Sequence, residues 1–268
     1  MMVFAAMFSN PFSKTSFAII TGATRGYGLE LAKVIAPVLC RDSVLVLTGR
    51  NQEKLDSAQK LVNSLRSSDD VIVNTVKTDL GVADDVEKFI GKCTENVDVK
   101  SFQSAVIIHN AGSLGDVTLR MDEYSSQTAI SQHMDLNVSN VMFYTAEFLR
   151  LFHMSPAKCF VVNISTLCAV EPFSSCALYC TGKAARDMMF KVLAAERPDV
   201  RVVSWAPGPM PTDMMVKMTN SCDSNMGEAF RKMKSEKTYV ECVDSAKKFL
   251  KLLVENSFTS GKHIDYYD

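Results

Sequence analysis

Tyr179 and Lys183 stand four residues apart in the segment ALYCTGKAARDMMF. In a helix that spacing puts both side chains on one face. An ammonium beside a phenol favours the phenolate and lowers a pKa that is ordinarily about 10. A tyrosine tuned in this way can give or take a proton near neutral pH. Ser165 follows the apolar run FVVNI, 14 residues upstream of Tyr179, and its hydroxyl can hydrogen-bond a carbonyl oxygen. The three residue types together suit proton transfer to such an oxygen. Y-x-x-x-K alone also occurs in surface helices as a plain pair, so the neighbouring motifs decide.

A glycine-rich turn, Thr21-Gly22-Ala23-Thr24-Arg25-Gly26-Tyr27-Gly28, joins a short apolar run to an apolar helical pattern. Its glycines let the backbone turn sharply and approach a pyrophosphate, with the N–H groups of the following helix aimed at it. The spacing is G-x-x-x-G-x-G rather than G-x-G-x-x-G, but strand, turn and helix follow in the order dinucleotide binding requires. About 20 residues on, a site for NAD would offer an acidic residue to the ribose 2′-hydroxyl. Here the second strand pattern runs into Thr48-Gly49-Arg50. Arg25 and Arg50 converging on a 2′-phosphate would select NADP(H); two solvated surface arginines are the plain alternative. Asp79-Leu80 ends the third strand pattern, where the carboxylate can accept from an adenine amino group or cap the next helix. Asn110-Ala111-Gly112 ends the fourth. Small residues there let the chain pass close to a cofactor, or simply make a turn.

These groups need a scaffold. FAIIT (17–21), VLVL (44–47), AVII (105–108) and FVVNI (160–164) are continuous apolar runs, and 71–76 and 200–205 are β-rich. Such runs suit strands buried on both faces of a parallel sheet. Between them lie helical patterns over 29–39, 53–65, 84–93, 128–151 and 177–196, with another over 243–254. Repeated βα units predict a doubly wound α/β sheet. Pro37 predicts an early end or a kink in the first helix. The stretch 207–237, with three prolines and six methionines, reads as a partly helical, mobile segment capping the site. The apolar patches 142–151 and 188–193 suit helix–helix association or core packing equally.

Composition narrows the rest. The chain has 268 residues, 47% hydrophobic and 22% charged, which is enough for a sizeable core and excludes wholesale disorder. A net charge of −1 gives no polyanion signature, so no nucleic-acid partner is expected. No apolar run is long enough to span a bilayer, and the apolar start lacks the basic region of a signal peptide. Residues 1–16 read as a flexible tail before the domain at 17–268. The eight cysteines and four histidines show no zinc spacing, so no metal site is expected. Reduced cytosolic thiols are the expected state.

T-G-x-x-x-G-x-G, N-A-G, Ser165, Tyr179-x-x-x-Lys183 and Pro207-Gly208 together resemble the short-chain dehydrogenase/reductase family, over nearly the whole chain from Phe17. The resemblance implies a single Rossmann-type, mostly parallel seven-stranded domain and a catalytic tetrad of Asn137, Ser165, Tyr179 and Lys183. Asn137 would help hold a water behind the lysine, and Lys183 would also bond the nicotinamide ribose. The same likeness extends the cofactor site to Met210, Pro211, Thr212, Asp213, Met214 and Met215. Segments 110–116, 162–165, 177–187, 206–209 and 261–268 are similar to members that reduce side-chain carbonyls of pterins with NADPH, at the end of tetrahydrobiopterin synthesis. That likeness implies a cytoplasmic homodimer. It places Thr166 and Gly208 against the substrate and has Asp265 anchor the pterin, whose amino and ring N–H edge a carboxylate can accept from. Without the likeness Asp265 would read as a surface carboxylate. The chain departs from the family pattern at Thr166, Tyr27, His109 and Pro211. A broad carbonyl or hydroxysteroid-type reductase, and a non-catalytic NADP(H)-binding regulator, remain the alternatives.

Overall fold

The five central strands of the sheet are too apolar to face water on either side, and helices cover both faces. The computed structural model describes residues 9–66 and 70–268. Its strands are β1 (Ser16–Ile20), β2 (Val44–Gly49), β3 (Ile72–Lys77), β4 (Ser104–His109), β5 (Lys158–Ile164), β6 (Val200–Ala206) and β7 (Lys262–Asp265). They form one sheet in the order β3-β2-β1-β4-β5-β6-β7, and every pairing is parallel. β7 was not among the strand segments read above; four residues are too few for a periodic signal.

The helices are α1 (Gly26–Ile35), α2 (Gln52–Ser64), α3 (Ala83–Cys93), α4 (Gln127–Met134), α5 (Asn140–Phe152), α6 (Ala177–Glu196), α7 (Asp213–Met218), α8 (Ser224–Glu236) and α9 (Cys242–Glu255). α1 starts three residues before its apolar pattern and stops at Ile35. Pro37 lies in the 3-10 turn Ala36–Val38 that follows, where its missing N–H costs nothing. The single helix expected over 128–151 is broken by a π-helical turn, Asp135–Ser139, between α4 and α5. Such turns are frequent at functional sites, and this one carries Asn137. Segment 207–237 is partly helical, through α7 and α8. Within the expected tail, 1–8 lie outside the described residues, Phe12 is buried in the core, and Ser16 already belongs to β1.

Alternate residues of each strand enter opposite layers. Ala18, Ile20, Leu45, Leu47, Val106, Ile108, Val203 and Trp205 pack with Leu31 of α1 and Phe249 and Leu253 of α9. Phe17, Ile19, Val46, Ile107, Val161 and Val202 pack with Phe89 of α3, Tyr144 and Phe148 of α5 and Phe190 of α6. Because all seven strands run the same way, all seven carboxyl ends lie along one edge. That edge is where open α/β sheets bind ligands. None of the described helices is long and apolar enough to cross a membrane.

Candidate active site

The glycine turn follows β1 and is stapled to the end of β4. The Thr21 hydroxyl accepts from the backbone N–H groups of Asn110 and Ala111, both at 2.9 Å. The Asn110 side chain donates to the carbonyls of Thr21 at 2.9 Å and Gly22 at 3.1 Å. The Asn110 side chain therefore braces the loop. Gly22 and Gly26 adopt φ of +67° and +53°, which only glycine takes without strain. A Cβ on Gly28 would fall 2.4 Å from both the Gly22 carbonyl oxygen and the Asn110 amide nitrogen. α1 begins here with no side-chain cap and no acidic residue in its first turn. Its N–H groups and positive dipole end are thus open to an anion. These features fit a dinucleotide pyrophosphate.

Ala23 is held to β2 by its N–H on Thr48 O at 2.9 Å, and Thr24 packs so tightly on Gly49 that a Cβ there would lie 2.6 Å away. Arg25 pairs with Asp213, and Arg50 lies 3.8 Å from Asp79. All four side chains are substantially exposed, so these pairs are weak and the guanidinium groups can be drawn to another anion. Asp79 also accepts from Gly81 N–H at 3.0 Å, so it shapes the turn before α3, next to buried Leu80. Thr212 of the loop after β6 faces Gly26 across the site. In that segment Met210 and Met214 are half-buried, Pro211 is exposed and Met215 is buried.

The Tyr27 side chain does not line the glycine turn. Its ring turns into the core, where the hydroxyl accepts from Trp205 Nε1 at 2.8 Å and from Ser245 Oγ at 3.3 Å. An aromatic ring of this size enters the layer between α1, β6 and α9 because α1 buries that face. Only the Tyr27 backbone can serve the loop.

Tyr179 and Lys183 share one face of α6, both buried. The Lys183 Nζ sits 5.7 Å from the Tyr179 ring centre and donates to the Ile164 carbonyl at 2.6 Å. The expected depression of the Tyr179 pKa is not what this packing produces. Burial pushes the phenol up, reinforced by Cys168 and only partly opposed by the Thr166 hydroxyl and Arg186. Burial, together with Arg186, pushes Lys183 well below its ordinary value. Desolvation disfavours the charged form of both groups, and at Lys183 the like charge of Arg186 adds to it.

Ser165 is joined to β6 through its N–H on Trp205 O at 2.7 Å, and its hydroxyl donates to Asp187 Oδ1 at 2.7 Å. Asn137 accepts from Ser113 N–H and donates to His133 O, both at 2.9 Å. Its carboxamide thus ties the loop after β4 to the π turn, and Gly112 passes so close that a Cβ would lie 3.0 Å from Asn137 Oδ1. Thr166 accepts from Cys168 N–H at 3.3 Å. Gly208, at φ +79°, packs on Val240. Asp265 ends β7 level with Ala206. Its carboxylate accepts from Tyr267 N–H at 3.0 Å and remains half-exposed.

Sequence reasoning missed Arg186, Asp187, Asn163 and His263. Arg186 is fully buried and donates to the carbonyls of His109 at 2.7 Å and Ala111 at 3.3 Å, holding the end of β4. A signal was present: Tyr179, Lys183, Arg186 and Asp187 recur at helical spacing on a face that must pack against the sheet. Among the described residues no cluster suits a metal ion, and all eight cysteines are free.

A strand-edge cofactor cradle, a Tyr–Lys pair on one helix and a serine at the end of the fifth strand define a nicotinamide-dependent oxidoreductase fold. The sequence profile of the short chain dehydrogenases matches residues 16–223, and the chain belongs to that family. It is similar to sepiapterin reductases: 38% identical to that of Bos taurus, over 94% of this chain and 95% of the bovine one. To that of Xenopus tropicalis it is 40% identical, over 93% and 95%. Among solved structures, a short chain dehydrogenase of Shigella flexneri complexed with NADP superposes with a TM-score of 0.75. That match is at 22% identity and spans 97% of this chain and all of the other.

Proposed function

We propose that the protein reduces side-chain carbonyls of pterins, sepiapterin and 6-pyruvoyl-tetrahydropterin among them, with NADPH. The observation that carries this reading is the similarity to sepiapterin reductases along almost the full length of both chains. The placement of Asp265 at the same sheet edge as Ser165 supports it. Bound NADPH would supply the hydride. The α1 N-terminus and the glycine turn would hold its pyrophosphate, and Arg25 and Arg50 would hold the 2′-phosphate. Asp265 would accept from the pterin amino and ring N–H groups and so aim the side chain at Tyr179. Burial keeps the Tyr179 phenol protonated across neutral pH, the state a proton donor to a carbonyl oxygen needs. Lys183 would stabilise the phenolate left behind, and Ser165 would orient the carbonyl. Orientation and a positioned acid are the main rate contributions of such a site. A homodimer in the cytoplasm, closing tetrahydrobiopterin synthesis, completes the proposal.

The test is NADPH oxidation by the purified chain with sepiapterin, with a simple vicinal diketone and with neither. Turnover dependent on sepiapterin is expected. Asp265→Asn should lower kcat/KM for sepiapterin far more than for the diketone. Equal losses would remove Asp265 from the anchoring role, and turnover of the diketone alone would make the enzyme a general carbonyl reductase.

A further inference from the structure

Four neighbouring strands carry a polar residue at one level. His109 on β4, Asn163 on β5, Ser204 on β6 and His263 on β7 are paired in register across the sheet. Two residues further on, and so on the same face, come Ser165 from β5 and Asp265 in β7. A polar row inside a parallel sheet needs hydrogen-bond partners, because unsatisfied groups there are costly. α6 supplies one. Asp187 Oδ1 accepts from Asn163 Nδ2 at 2.8 Å and from Ser165 Oγ at 2.7 Å. Its Oδ2 lies 2.6 Å from His263 Nδ1, and Asn163 Nδ2 also reaches Ser204 Oγ at 3.0 Å. The Asp187 side chain is 6% exposed and that of His263 15%.

A serine hydroxyl has one hydrogen, and Asp187 holds that of Ser165. Ser165 can donate to a carbonyl only by turning that hydrogen away from the carboxylate. When it does, Asp187 keeps Asn163 on one oxygen and His263 on the other, so no bare buried charge is left behind. We propose that Asp187 and His263 are positioning residues of the reduction, holding and releasing the Ser165 hydroxyl. β7, which bears both His263 and Asp265, joins that network to the substrate end of the site. The proposal rests on the carbonyl-reductase reading above.

A double-mutant cycle on the full chain tests it, with NADPH affinity followed by fluorescence. Asp187→Asn should lower kcat on the diketone by about tenfold or more while changing NADPH affinity less than about twofold. In a Ser165→Ala background the same change should cost less than about twofold, because the residue it acts through is gone. His263→Gln, at the sheet edge, should show the same pattern with a loss of about threefold, and it serves if Asp187→Asn does not fold. Equal losses in both backgrounds, or no loss in either, would overturn the proposal. Wild-type enzyme that reduces the diketone but not sepiapterin would remove the pterin reading, and the cycle would still decide this one. Wild-type enzyme that reduces neither would overturn both.

Discussion

Lys183 Nζ donates to the carbonyl oxygen of Ile164 at 2.6 Å, so the ammonium of the Tyr–Lys pair is fixed to the residue just before Ser165. One hydrogen bond thus ties α6 to the end of β5 and sets the lysine relative to the serine. Burial opposes the charge on Lys183, and a single carbonyl only partly offsets that cost. Lys183→Met keeps the length of the stem and removes the ammonium. NADPH affinity should fall about tenfold and kcat by about a hundredfold, the size of effect expected when a tuned acid loses its partner. Tyr179→Phe should nearly abolish turnover with NADPH affinity kept. Fluorescence titration and steady-state kinetics separate the two patterns.

Arg25 and Arg50 each face an exposed carboxylate, Asp213 and Asp79. Exposed pairs contribute about 0–1 kcal/mol, so a doubly charged phosphate should displace them readily. Arg25→Ala with Arg50→Ala should lower kcat/KM for NADPH about a hundredfold and leave NADH within about threefold. The loss should shrink at high salt, where exposed charges are screened. Parallel kinetics with the two cofactors at low and high ionic strength give the result.

Two glycines of the same turn should respond differently. A Cβ at Gly28 meets a carbonyl oxygen and an amide nitrogen at 2.4 Å, whereas Gly26 meets only the Thr212 methyl at 3.6 Å. Gly28→Ala must displace backbone and should cost about 3 kcal/mol, the upper end for overpacking, together with cofactor affinity. Gly26→Ala carries mainly the cost of its φ, about 1–2 kcal/mol. Urea unfolding and NADPH titration of both variants test the ordering.

The sheet and most helices were legible because their apolar periods are long and strong. α6 spans the residues its pattern predicts, Ala177–Glu196. Apolar pattern could not reveal the π turn, because Leu136 and Val138 keep the stripe running through it. Nor could it reveal β7, whose four residues acquire strand character only by pairing with β6. The direction of the Tyr27 side chain was not legible either, because its partners Trp205 and Ser245 lie 178 and 218 residues further along the chain. Tyr179, Lys183 and Ser165 were legible as a motif, but their pKa directions were not. Spacing reports who is near, and desolvation depends on everything packed around them. Asp187 and His263, 76 residues apart in sequence, meet only through the sheet.

His109 offers a test of the fold's pH dependence. Its ring is fully buried, bonded to the Thr145 hydroxyl at 3.0 Å and stacked between Tyr144 and Phe190. Burial, with Arg186 adding to it, holds its pKa well below 6.5. The unfolded chain binds a proton at His109 near pH 6.5, and the native chain does not. Stability from this residue is therefore fully present above about pH 6.5 and lost as pH falls below it, with a limiting slope of about 1.4 kcal/mol per pH unit. His133, also shifted down by burial, acts in the same direction, so the wild-type slope contains both. His109→Asn removes one proton from that difference. Its urea midpoint should be lower than wild type at pH 7.5, and the gap should narrow toward pH 5.5. A constant gap across that range would mean that His109 takes up its proton as readily in the folded protein as in the unfolded one.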